Sequence, residues 1–158
     1  MDAKSTAFRA IGMAWLVVGI LDIASAIIIW FTRNMTPVRG FQGIAAGILG
    51  PHSYEGGLGT AALGLAIHFF IAFIVVTIFY LVSRPIPFLT EQAALSGVLY
   101  GIAVYLVMYW LVLPNVFPSF RHRLSNDALA IAIHICLIGL PTALIVRRFS
   151  HSTLSNLQ

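Results

Sequence analysis

Asp22, His68 and His134 each interrupt a long run of apolar residues. A carboxylate and two imidazoles can hold protons, make hydrogen bonds and bind metals near neutral pH. Inside an apolar helix a charged group costs at least ~2.5 kcal/mol to bury, so it is normally paired or put to use. Depth can be counted from the side opposite the chain ends, at ~1.5 Å per residue. On that count His68 lies about 12 Å in, His134 about 9 Å, Asp22 about 15 Å and Tyr105 about 14 Å. The spread is about one helical turn, so four helices are expected to give one polar group each to a shared layer.

Three chemistries suit such a layer. The first is a non-enzymatic polar cluster that binds a small ligand or fixes how the helices pair. The second is redox chemistry on a b-type haem held between His68 and His134, with Arg39 the one evident propionate partner. The third is proton-coupled transport of a small solute through an Asp-His-Tyr set. Enzyme motifs are absent: no HExxH, no GxSxG and no Walker sequence, so no catalytic residue is assigned. No metal site beyond the haem alternative is expected.

The elements that position these residues follow from composition. Of 158 residues, 59% are hydrophobic and 9% charged, against about 25% charged in soluble domains. The lipid bilayer is therefore the expected solvent. The net charge of +4 comes from basic residues at the ends of apolar runs, with no basic stripe among aromatics, which excludes nucleic-acid binding. Apolar runs predict spans over residues 10–31, 60–82, 93–113 and 128–146, in a single transmembrane domain covering 1–158. The first run continues past a signal-like Ala24-Ser25-Ala26, so it reads as an uncleaved span. Cys136 is the single cysteine and reads as a packing residue.

Residues 38–49 are too apolar for a loop and too short to span, with Pro37 to open a helix and Gly50-Pro51 to close it. They predict an interfacial or re-entrant helix between spans 1 and 2. Its Arg39 and Gln42 are the polar groups best placed to point inward; a surface helix with Arg39 bound to lipid phosphate fits the same pattern equally well. The short link at Arg84-Pro85-Ile86-Pro87 makes spans 2 and 3 expected antiparallel neighbours, with Thr90 as N-cap of span 3. Gly97 and Gly101 form a GxxxG pair, available within the bundle or to a homo-oligomer. Pro114 is expected to end span 3, Ser125 or Asn126 to cap span 4, and Pro141 to kink it. The fold class is thus an all-α integral membrane four-helix bundle. Both termini fall on one side, with Lys4, Arg9, Arg84, Arg147 and Arg148. Arg33, Arg39, Arg121 and Arg123 fall on the other, so the charge balance favours cytoplasmic termini.

Several runs carry a resemblance: Pro37-x-Arg39…Gln42-x-Ile44-Ala45-x-Gly47-x-Leu49-Gly50, Ala62-Leu63-Gly64…His68-Phe69, Gly97…Tyr100-Gly101…Val104-Tyr105 and His134…Gly139-Leu140-Pro141. Together they resemble a group of small four-span bacterial inner-membrane proteins without assigned activity, and more distantly the YagU-like inner-membrane proteins. The resemblance implies a bacterial plasma-membrane protein and brings no activity with it.

Overall fold

The computed structural model describes residues 3–117 and 120–154. Helix α1 runs Ala3–Thr32 and α2 runs Pro37–Leu49, followed by a 3-10 turn at Gly50–Tyr54. Helix α3 is Gly57–Ser83 and α4 is the short Phe88–Glu91. Helix α5 joins Ala93–Leu106, a π-helical segment Val107–Val112 and Leu113–Val116. Helix α6 joins Leu124–Ile133, a second π-helical segment His134–Gly139 and Leu140–Leu154. No strand occurs among the described residues.

Four of these helices are long and apolar enough to cross a membrane: Ser5–Thr32, Gly57–Ser83, Ala93–Val116 and Leu124–Ser150, of 28, 27, 24 and 27 residues. At ~1.5 Å rise each exceeds the ~30 Å of bilayer hydrocarbon and reaches the headgroups. That is why they outrun the purely apolar stretches of the sequence. Large apolar side chains such as Phe8, Ile28, Phe70 and Leu111 stand exposed along them, as lipid-facing residues must. This is a multi-pass membrane protein.

Local chemistry sets the joints. Asn34 takes a left-handed φ of 54°, which Asn tolerates better than most residues. The Asn34 N–H then donates to Phe31 O at 3.1 Å and the Met35 N–H to Trp30 O at 2.9 Å, the double closure of a Schellman turn. Two residues on, the Thr36 side chain accepts from the Arg39 N–H and Pro37 opens α2. The chain therefore reverses between α1 and α2 within four residues.

Sequence-based expectation fails at the starts of α5 and α6 and at the end of α5. Thr90 lies inside α4, and its hydroxyl donates to Pro87 O at 3.0 Å instead of capping α5. Helix α6 begins at Leu124, ahead of Ser125 and Asn126, with Arg123 at its N-cap. Pro114 does not stop α5, which continues to Val116. Each π segment ends two residues before a proline, Pro114 or Pro141. A proline ring clashes with the carbonyl four residues back and lacks an N–H. Widening the preceding turn relieves the clash and lets the helix go on.

The helices are not packed as their links suggest. The close backbone approaches are α2 with α3, where a Cβ on Gly64 would overlap Phe41 O, α1 with α3, α1 with α6, and α5 with α6. Helices α3 and α5 meet instead through side chains: the Phe79 and Tyr100 rings lie 4.9 Å apart, and the Tyr100 hydroxyl donates to Val75 O at 2.6 Å. Gly97 and Gly101 are spent on α6 of the same chain. A Cβ on Gly101 would sit 2.6 Å from His134 O, and one on Gly97 2.8 Å from the Leu140 Cα. The GxxxG face is therefore covered from within. At the terminal end Ala10, Phe79, Tyr80, Ala93, Ala143 and Val146 form one packed cluster. Ala14, Val18, Val76, Val104 and Ile138 form a second at mid-depth.

Candidate functional site

Above the second cluster, on the side of α2, the bundle is hollow. A partly enclosed cavity of about 570 Å³ lies between α1, α3, α5 and α6, roofed by α2. Val18, Val75, Val104 and Ile138 form its floor, and Ile44, Ile67, Ile71, Met108 and Val112 line its sides. Asp22, His68 and His134 reach it from three different helices, and Arg39 and Tyr54 reach it from α2 and the turn that follows.

Asp22 and His68 are brought together by a glycine. Gly19 has no side chain, so the Phe69 ring lies where its Cβ would be, 2.5 Å from the nearest ring carbon. Helices α1 and α3 close there, and two bonds cross in opposite senses. The Trp15 indole N–H of α1 donates to Phe69 O at 2.7 Å, and His68 Nε2 of α3 lies 3.0 Å from Gly19 O. A carbonyl only accepts, so Nε2 carries the proton and donates. His68 Nδ1 then faces Asp22 Oδ2 at 3.9 Å. That exceeds hydrogen-bond range and is a spacing that one water or ligand oxygen can bridge.

His134 stands at the first residue of the π segment in α6. Its Nδ1 donates to Ala130 O at 2.7 Å, which leaves Nε2 as the lone-pair nitrogen of the neutral ring. The ring is clamped edge-on between Tyr105, at 5.9 Å, and Tyr109, at 5.7 Å. Asp22 interacts electrostatically with both imidazoles. Among the described residues, however, no three His, Cys, Asp or Glu side chains are close enough to hold a metal ion together.

The structure thus gathers Asp22, His68 and His134 on one cavity and sets Tyr105 behind His134 as packing. It separates Arg39 from Gln42. Gln42 is buried and donates from Nε2 to Gly57 O at 3.0 Å and to the Thr60 hydroxyl at 3.4 Å. It ties α2 to the start of α3 and does not line the cavity. Arg39 is exposed at the rim, its guanidinium 4.0 Å from the centre of the Tyr54 ring. Tyr54 carried no sequence signal, because it lies in a turn with no periodicity. Tyr109 and the widened turns had a signal in Pro114 and Pro141, which mark where the helices must deform.

Compared with known proteins, the chain matches no family model, no curated sequence and no solved structure.

Proposed function

We propose that this membrane protein binds a small, largely apolar molecule in the cavity, without transforming it, and that Asp22, His68 and His134 recognise its polar group. The supporting observation is the cavity itself: about 570 Å³, apolar on nearly all sides, with a carboxylate and two imidazoles opening into it. Small-molecule sites are commonly hollows of ~300–1,000 Å³, apolar with a few convergent polar groups. His68 Nδ1 and His134 Nε2 each remain available after the other ring nitrogen is tied to a backbone carbonyl. The setting proposed is the inner membrane of a bacterium, with both termini in the cytoplasm.

One detail favours a second reading. His134, with Nδ1 on a backbone carbonyl and Nε2 free, is oriented as an axial haem ligand would be. His68 is turned the other way, with Nε2 on Gly19 O. Bis-histidine ligation would need that bond broken, so haem is the weaker reading.

Native mass spectrometry of the protein released from mild detergent tests the proposal. A single one-to-one adduct is expected, lost when Val75→Phe fills the cavity floor. Adduct-free protein in both forms at gentle activation would overturn it. An adduct with the mass and Soret absorption of haem, lost in His68→Ala and in His134→Ala, would transfer the reading to redox chemistry.

A further inference from the structure

The rim of the cavity holds a cation whose hydrogen bonds are unused. The Arg39 guanidinium carbon lies 4.0 Å from the centre of the Tyr54 ring, where cation–π attraction holds the group while the ring, which offers only its π face, takes up none of its five N–H donors in a conventional hydrogen bond. No carboxylate among the described residues pairs with it. The neighbouring Glu55 is turned to His52, at 3.7 Å. Tyr54 is itself positioned by the cap: the turn Gly50–Tyr54 starts at a left-handed Gly50, and Ser53 O accepts from the Thr60 hydroxyl at 2.6 Å. A guanidinium kept beside an aromatic ring, with fork-shaped donors that no carboxylate takes up, is suited to a carboxylate or phosphate. The walls leading inward from it, Gly43, Ile44 and Ile71, offer only apolar surface.

We infer that Arg39 and Tyr54 form an anion-recognition subsite, and that the occupant is a free single-chain amphiphile with a carboxylate or phosphate end at Arg39 and its apolar body in the cavity. This rests on the cavity-binding reading above and names its ligand class. The cavity has the volume of a small-molecule site, which matches one chain better than a two-chain bilayer phospholipid.

Trp30 lines the same cavity, which provides an internal reporter. In protein reconstituted in nanodiscs with Trp15 retained, the part of the quenching by brominated probes that a Trp30→Phe control loses reads occupancy. The probes are dibromostearic acid, a lysophosphatidate with the same chain, and the methyl ester of the acid. Both anionic probes are expected to quench saturably, the methyl ester about tenfold more weakly. Arg39→Gln should weaken the anionic probes about tenfold and leave the ester unchanged. Val75→Phe, remote from the rim, should abolish quenching by all three. Equal quenching by acid and ester, insensitive to Arg39→Gln but lost in Val75→Phe, would overturn the anion subsite and leave the cavity reading standing. Quenching untouched by Val75→Phe would remove both. Brominated phosphatidylglycerol of the bilayer quenching as tightly as the free acid would reduce Arg39 to an ordinary headgroup contact and overturn the assignment of a free amphiphile.

Discussion

The two ends of this bundle are filled differently. Toward the termini, and along the α5–α6 seam, helices meet backbone to backbone over small residues: Ala10, Ala93, Ala143, Gly97, Gly101 and Gly139 are all buried. Toward α2, side chains of Ile, Met and Val stop short of one another and leave about 570 Å³ empty. In lipid there is little hydrophobic drive between helices, so close van der Waals packing and interhelical hydrogen bonds do the holding. The seam has the first in full. At the hollow end α2 meets the α3 backbone closely at Gly64 and Phe41, and the space below α2 is spanned by discrete bonds: Trp15 to Phe69 O, His68 to Gly19 O, Tyr100 to Val75 O and Gln42 to Gly57 O. A hollow that is strutted by named hydrogen bonds can stay open; one lined only by apolar side chains in lipid would tend to close or fill.

The seam should be among the least forgiving parts of the molecule. A methyl on Gly139 would overlap Gly97 O and lie 2.6 Å from the Gly101 N and 2.8 Å from its Cα. Backbone cannot rotate away as a side chain can, so Gly139→Ala must push α5 and α6 apart along their whole contact. The expected cost is about 3 kcal/mol or more, the upper range for overpacking. Thermal unfolding in detergent should show a large drop in Tm or no folded peak on size exclusion. A parent-like Tm would mean that the seam is looser than its geometry.

Next in size is the polar pair. Asp22→Ala removes the carboxylate that faces His68. Breaking a fully buried ion pair costs about 3–5 kcal/mol, but the Asp22 side chain is 30% open toward the cavity. About 2 kcal/mol is therefore expected. The sharper measurement is the cycle of Asp22→Ala, His68→Ala and the double variant, with a coupling of about 1 kcal/mol. Strictly additive losses would show that a 3.9 Å approach is proximity without pairing, and the hollow end would lose one of its struts. Asp22→Asn adds a further check, because an amide keeps the shape and removes the charge.

Smaller again is Tyr100→Phe. It keeps the ring that packs on Phe79 and deletes only the hydroxyl that donates to Val75 O. A net loss of about 1 kcal/mol is expected. Because this bond links α3 to α5 at the cavity floor, hydrogen exchange in those two helices should rise more than in α1 or α6. Uniform change across all helices would argue against a local strut.

What the sequence could say about these two ends depends on which quantities are fixed by geometry. Helical rise is constant, so apolar run lengths predict four spans, and counting residues along them compares the depths of Asp22, His68 and His134. The small faces around Gly19 and Gly64 were legible too, since only close approach explains glycine in mid-span. Azimuth and neighbour choice were not legible. A short link between α3 and α5 argues for adjacency, yet large Phe79 and Tyr100 hold those backbones apart, and the glycines of α5 commit it to α6. Arg39 and Gln42 are three residues apart on one helical face, so pattern alone could not assign one to the rim and the other to a buried tie. The π segments defeat a 3.6-residue period; only Pro114 and Pro141 hinted at them.

The smallest expected effect is the most direct contrast with the seam, because it repeats the same substitution. Gly43 lies in α2 and lines the cavity, and a Cβ there would meet only the Tyr54 hydroxyl, at 3.6 Å. That is ordinary contact. Gly43→Ala therefore adds a methyl into space, while removing the backbone entropy that glycine brings to a helix interior, worth about 0.5–1 kcal/mol in favour of alanine. Part of that gain is offset if the methyl displaces a bound molecule, so a net change within about 0.5 kcal/mol of the parent, on the stabilising side, is expected. Gly139→Ala makes the identical chemical change in a helix of the same molecule and should be strongly destabilising. Thermal unfolding of the two variants side by side measures the difference directly, with the helix-propensity gain common to both. If Gly43→Ala falls as far as Gly139→Ala, α2 must close down on the bundle in the membrane, the cavity is not a standing feature of the fold, and the distinction between a sealed end and a hollow end is lost.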